Sequence, residues 1–277
     1  MLTFGTPDPG VLDVVGEVVQ RLRHDTDIAP SQVMVVGAHA RNIIHSGLGD
    51  SAPIRLTDDV DLALALPGWD AYQPITKIYP RLGDSQMRYR VGGIPVDFMP
   101  FGPRVEEPPG AVTPPPRKEA WTVAGFQDVH RHAQAVEITP QGDTVRVPSP
   151  AGYTALKLRS WADRAPNHDT KDAQDLAVAC HWYTESEAVR AELYETGHGQ
   201  NLLEVHNYAQ DLAAVALLSY EVSEVLSAAI ATSLAADLKN VGTALLSRDF
   251  TTSLERIPSA DRDRREAMIT SLLSALV

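Results

Sequence analysis

The 277-residue chain predicts an α+β fold, with a sheet-bearing half over residues 1–148 followed by an all-helical region over 149–277. Three observations predict it. Short apolar runs bounded by Gly, Pro and Asp recur up to about Val147, at the length and punctuation of strands. From Ser149 the period changes to that of helices, opening on a Ser-Pro start signal. No later segment carries a strand pattern, and no internal repeat is present.

The elements follow in order. "GVLDVVGEVVQRLRHD" has its apolar residues at helical spacing. "SQVMVVGAHARNIIHSGLG" reads as a short buried strand, a tight turn at Gly37, and a helix ending near Gly47 or Gly49. "DVDLALAL" is the next strand, closed by Pro67 and Gly68, and "WDAYQPITKIYPRLG" starts as a helix with Pro74 near a boundary. "MRYRVGGIPVDFMPFG" is a hairpin turning at Gly92 and Gly93, with Asp97 on its second strand. "RVEEPPGAVTPPPRKEAW" is too rich in proline for a helix or central strand and reads as a loop. "FQDVHRHAQAVEI" passes from a short helix into a strand, and "DTVRVPSP" supplies another. "SPAGYTALKLRSWADR" and "TKDAQDLAVACHWYT" are helices, as is everything after about residue 185. The first two helices of the second part are expected to contribute to the active site.

Composition narrows the function classes. Hydrophobic content of 44% and charged content of 22% are those of a globular protein. The single cysteine, Cys180, excludes an internal disulfide and a cysteine zinc site, and reads as a small buried residue. No run of about 20 apolar residues occurs, and the amino terminus lacks the basic start of a signal peptide, so a cytoplasmic protein with no membrane partner is expected. The net charge of −12 argues against a broad nucleic-acid face, although positive charge gathers at Arg81, Arg88 and Arg90, at Arg117 and Lys118, and at Lys157, Arg159 and Arg164.

The chemistry concentrates in "RLTDDVDLALAL", Arg55 to Leu66. Its bland reading is a turn, where Asp is common. Residues two apart on a strand share a face, however, so a strand starting near Asp59 aims Asp59 and Asp61 the same way. Like charges on one face repel unless a cation lies between them, and Mg²⁺ binds through a few carboxylates plus substrate phosphates. Asp58 is then exposed. A turn at Gly37 after a strand offers backbone N–H groups and a helix N-terminus to phosphates. Asp97 is a lone carboxylate in an apolar strand, costly to bury without a partner. If the strands are neighbours, the three carboxylates meet at one end of a small sheet. His39, in the Gly turn, reads equally as a phosphate contact or a helix cap. The "HRH" at His130–His132 reads as solvated. No zinc-protease spacing and no serine-hydrolase elbow occurs.

Gly37 after a strand, "TDDVDL", and the later "VDF" resemble the DNA polymerase β-type nucleotidyltransferase superfamily. "ALKLRSWADR" (Ala155–Arg164) and "TKDAQDLA" (Thr170–Ala177) resemble motifs of the AbiEii/AbiGii toxin family within it. The resemblance spans roughly residues 33–177, about half of the chain, and departs where Ala38 replaces the usual serine after the glycine. It implies a small mixed-sheet nucleotidyltransferase core with flanking helices. It implies Mg²⁺ or Mn²⁺ on Asp59, Asp61 and Asp97, and catalytic roles for Asp97, Lys157 and Asp172. It further implies nucleotide contacts from Gly37, Ala38, Arg41, Lys157, Lys171 and Asp175. The implied reaction moves a nucleoside monophosphate from an NTP to a hydroxyl, with a tRNA 3′ end as acceptor and a cognate antitoxin as possible partner. Transfer to a protein side chain or to an aminoglycoside-like molecule, and a degenerate NTP-binding module, are the alternatives. Read as structure alone, Lys157 is a solvated or snorkelling lysine, and Lys171 with Asp175 a surface ion pair.

Overall fold

The computed structural model describes residues 1–50, 57–83, 87–114, 120–139, 142–165, 169–251 and 262–276. Arg117 and Lys118, one of the basic clusters, lie outside the described residues. The described residues form two compact units: a sheet unit drawn from residues 4–149, and a helical unit formed by residues 1–3 with those from 150 onward.

In the sheet unit the order is α1 (Asp13–Asp25), β1 (Val33–Val35), α2 (Gly37–Gly47), β2 (Val60–Ala65), α3 (Gln73–Ile78), β3 (Arg88–Val91), β4 (Ile94–Phe101), β5 (Ala111–Val112), β6 (Trp121–Thr122), α4 (Phe126–His132), β7 (Gln134–Glu137) and β8 (Thr144–Val147). Six strands make one mixed sheet in the order β3-β4-β2-β1-β8-β7. The pairs β2/β4 and β1/β8 are parallel, and the others are antiparallel. The fold is thus α+β, as the sequence predicts.

Physical causes are plain along the site-bearing strands. Alternation on β2 buries Val60, Leu62 and Leu64 completely on one face and leaves Asp61 on the other. On β4 the same alternation buries Val96 and Phe98 and puts Asp97 opposite. The β3–β4 hairpin turns through Gly92 and Gly93 at φ +59° and +96°, the left-handed conformation that two-residue hairpin loops require. Helix α1 buries Val15, Val18, Val19 and Leu22, a stripe at helical spacing. The proline-rich stretch is not wholly a loop: Ala111–Val112 and Trp121–Thr122 pair as a separate two-stranded ladder.

The helical unit runs α5 (Pro150–Arg164), α6 (Lys171–Glu185), α7 (Glu187–Glu195), α8 (Gly197–Val205), α9 (Gln210–Val225), α10 (Ala228–Val241), α11 (Thr243–Asp249) and α12 (Arg262–Leu273). Cys180 is fully buried on α6, as expected of a small apolar residue. Residues 1–3 join this unit through Glu221 on α9, a buried carboxylate that accepts the Leu2 N–H at 2.9 Å and the Tyr183 hydroxyl. No helix among the described residues is long and apolar enough to cross a membrane.

Candidate active site

Strand register brings two of the three aspartates together. β2 and β4 are adjacent and parallel, with Asp61 directly beside Asp97. Their side chains therefore leave the same face of the sheet. Asp59 stands just ahead of β2, half-buried, while Asp58 is exposed.

The Gly turn reaches the same place because β1 runs antiparallel to β2, so the end of β1 lies at the start of β2. The Val36 N–H donates to the Asp61 carbonyl at 3.0 Å. Gly37 has φ +61°, and a Cβ on it would fall 2.0 Å from Asp61 Oδ2. Only glycine lets the chain turn into α2 this close to the carboxylate. Ala38 follows in the first turn of α2, half-buried. The N-terminal end of α2, with no side-chain cap, thus stands against Asp61, where backbone N–H groups favour negative charge.

Arg88 on β3 completes the group. It is in register with Asp97 across the antiparallel β3–β4 pair. Its Nη2 donates to Asp59 Oδ2, and its Nε lies 3.9 Å from Asp97 Oδ1. The side chains of Arg88, Asp59 and Asp97 are 37%, 30% and 28% exposed, open enough for a ligand to reach. Burial pushes the Asp59 carboxyl up, but the Thr57 hydroxyl and the Arg88 guanidinium outweigh it and hold the group below the usual range. Asp97 goes the other way. Burial raises it, Asp59's charge adds to the rise, and Arg88 offsets only part.

Among the described residues, no three His, Cys, Asp or Glu side chains already stand as a ligand set for a metal. Asp59 is turned toward Thr57 and Arg88. The donor chemistry nevertheless suits a divalent cation. Mg²⁺ takes one or two carboxylates and completes its shell with water and phosphate oxygens, and the in-register Asp61 and Asp97 offer hard oxygen donors. Gly37, having no Cβ, lies beside Asp61 without crowding its Oδ2.

The remaining sequence candidates are distributed differently. Arg41, on α2, is 2% exposed, and its guanidinium bonds Asn42 Oδ1 through Nε and Nη2 at 3.2 and 3.0 Å. His39 is half-buried, and its Nδ1 has no hydrogen-bond partner among the described residues. Burial keeps this imidazole below its ordinary pKa in spite of Asp59's charge. Lys157, Asp172 and Asp175 belong to the helical unit, where they meet one another. Lys157 Nζ on α5 lies 3.1 Å from Asp172 Oδ1 and 2.6 Å from Asp175 Oδ2 on α6. Arg164 Nε adds a contact of 3.1 Å to Asp172 Oδ2. The lysine side chain is only 12% exposed, which overturns its reading as a solvated lysine. Asp175 is likewise no surface ion-pair partner of Lys171: it is buried against Lys157, while Lys171 is exposed. Sequence spacing compared residues on one helix, whereas the partner sits on the neighbouring helix.

His130 is the residue sequence reasoning misjudged. It is not solvated but half-buried, edge-on to Phe101 with ring centroids 5.5 Å apart. Burial holds its pKa down, with the Arg146 charge adding to the effect and a bond to the Ser31 backbone opposing it. The aromatic neighbour comes from a distant strand, so no local signal marked it. His130, Gln127, Leu66 and Phe101 line a cavity of about 400 Å³ at the far ends of β2 and β4, away from the aspartates.

No protein-family model matches the chain, and no curated protein matches it. Among solved structures, the antibiotic-resistance factor ANT(2'')-Ia is 14% identical, with a TM-score of 0.39 over 73% of this chain and 98% of that one. An antigenic nucleotidyltransferase-like protein from Paracoccidioides brasiliensis is 16% identical, with a TM-score of 0.39 over 76% of this chain and 94% of that one. The Thermotoga maritima CCA-adding enzyme, complexed with tRNA, is 10% identical, with a TM-score of 0.24 over 100% of this chain and 83% of that one.

Proposed function

We propose that this protein is a metal-dependent nucleotidyltransferase that moves a nucleoside monophosphate from an NTP to a hydroxyl acceptor. The observation that carries the reading is the in-register pair Asp61 and Asp97 on adjacent parallel strands, with Gly37 and the start of α2 pressed against Asp61. A structural role explains neither the like charges side by side nor the glycine that lets the chain turn against one of them.

In this reading Asp61 and Asp97 hold the cation, joined by Asp59. When bound, Mg²⁺ or Mn²⁺ neutralises charge on the transferring phosphate and on the leaving oxygen. The backbone N–H groups at Gly37, Ala38 and His39 face the triphosphate, which suits a helix N-terminus and makes the missing serine hydroxyl dispensable. Asp97, beside the cation it would help to hold, takes the proton of the acceptor hydroxyl. The hydroxyl oxygen forms the new bond to the α-phosphorus, the bond from that phosphorus to the bridging oxygen breaks, and pyrophosphate leaves with the electron pair.

The acceptor we propose is a tRNA 3′ end, in a toxin of a toxin–antitoxin pair. The supporting observation is the pair of segments around Lys157 and Asp172, whose resemblance is to the AbiEii/AbiGii toxins. Within the helical unit Lys157, Asp172 and Asp175 form one cluster, which supports reading these motif residues together.

The test supplies each of the four α-labelled NTPs with Mg²⁺ or Mn²⁺ and total bacterial tRNA, a protein mixture, or an aminoglycoside. Label is expected in RNA, falling at least about 10³-fold in Asp61→Asn and Asp97→Asn. Label in protein or aminoglycoside replaces the acceptor and keeps the chemistry. No label in any acceptor, or label that survives both substitutions, overturns the reading.

A further inference from the structure

The place a divalent cation would take is already served by a cation from the chain. Arg88 bonds Asp59 and approaches Asp97 to 3.9 Å, from the strand position directly across from Asp97. Asp59 bonds Thr57 and Arg88, and among the described residues the three carboxylates do not form a ligand set. We propose that Arg88 is a built-in competitor of the metal: its guanidinium holds Asp59 and Asp97 until a nucleotide triphosphate arrives, and then exchanges them for phosphate oxygens. The inference rests on the reading of Asp59, Asp61 and Asp97 as cation ligands.

Three physical points support the exchange. A guanidinium stays charged at any working pH, so Arg88 leaves the carboxylates only by finding other acceptors. Its planar fork matches a phosphate as well as it matches a carboxylate, so a triphosphate offers equivalent bonds. The side chain is 37% exposed on the edge strand β3, within reach of a ligand from solvent. Without nucleotide, a metal must displace Arg88 into water. With nucleotide, metal and guanidinium both gain phosphate oxygens. Metal binding alone is therefore weak, nucleotide strengthens it, and the carboxylates are spared mutual repulsion in the resting protein.

The test is a Mn²⁺ titration followed by electron paramagnetic resonance, with and without a non-hydrolysable NTP analogue. The proteins are the wild type, Arg88→Met, Arg88→Gln and Asp61→Asn. Removing a positive charge about 4 Å from a carboxylate is expected to tighten bare Mn²⁺ binding at least about tenfold in both Arg88 variants. The extra affinity conferred by the analogue shrinks in the same variants. A gain in affinity cannot come from misfolding, and the thermal unfolding curve of each variant reports its fold independently. Bare Mn²⁺ binding in the Arg88 variants that equals or falls below the wild type, while Asp61→Asn abolishes binding, overturns the role of Arg88 and leaves the metal site standing. Mn²⁺ binding unchanged in Asp61→Asn overturns the metal site itself, and the role of Arg88 with it.

Discussion

Gly37 shows how one residue can decide a site. Its φ of +61° alone disfavours any side chain, by about 1–2 kcal/mol. The larger penalty is local, because a Cβ would meet Asp61 Oδ2 at 2.0 Å and Cγ at 2.8 Å. Asp61 would have to rotate away from the face it shares with Asp97. Gly37→Ala is therefore expected to lower nucleotidyl transfer by about 10²-fold or more, since misplacing a reacting group by about 1 Å costs that much. Gly93→Ala separates the two effects. Its φ is also positive, at +96°, but a Cβ there meets nothing within 4 Å. That variant is expected to lose only the strain part, about 1–2 kcal/mol, in urea unfolding and to keep its activity. Equal activity losses in the two variants would mean that backbone strain, not the contact with Asp61, is what Gly37 avoids.

Among the secondary elements, the α5–α6 pair is fastened by charge as well as by apolar packing. Lys157 sits between Asp172 and Asp175, which are 1% and 4% exposed, with the Tyr153 ring 5.6 Å away. Burial alone would push the ammonium's pKa down, but Tyr153, Asp175 and Asp172 outweigh it and raise it. The lysine is charged throughout the working range, and the stability it confers is present in full below the ordinary lysine pKa. Lys157→Met removes the cation between two buried carboxylates, one of which Arg164 also reaches. Removing one partner of such a cluster costs about 3–5 kcal/mol. The urea midpoint of the helical unit should fall accordingly, and Lys157→Met combined with Asp175→Leu should recover part of the loss. A midpoint unchanged in Lys157→Met would show that α5 and α6 are held by packing alone. The same two helices carry the motif residues, so their cost in stability and their place in the proposed reaction are read from different measurements.

Across the whole molecule, stability is tied to pH through histidines in both units. Burial lowers the pKa of His39 and His130 in the sheet unit and of His206 in the helical unit. The unfolded chain therefore binds more protons than the folded one once the pH falls below about 6.5. Their contribution is whole above that value and is lost as the pH drops through the lowered folded values. Urea midpoints are expected to fall between pH 7 and pH 5. His130→Gln, which keeps a donor for Ser31 but takes no proton, should flatten part of that slope. An unchanged slope would exclude His130 from the linkage.

Much of this architecture was legible before any coordinates. Period-two alternation in "DVDLALAL" marked a strand with Asp61 on the less apolar face, and Gly92–Gly93 marked a hairpin with Asp97 on its return, because side-chain direction in a strand is fixed by local geometry. Helical spacing located α1, α5 and α6 for the same reason. Pairings between elements were not legible. Nothing local to Asp175 says that its partner is Lys157 rather than Lys171, and nothing local to His130 says that it faces Phe101. Local sequence sets which residues carry charge, which strands hold them, and that glycine stands where the chain must turn. Tertiary structure alone decided that β2 runs beside β4, that Asp61 therefore meets Asp97, and that Arg88 reaches both Asp59 and Asp97 from a third strand. Side-chain direction depends on the two dihedral angles of each residue, whereas register depends on burial summed over the whole sheet.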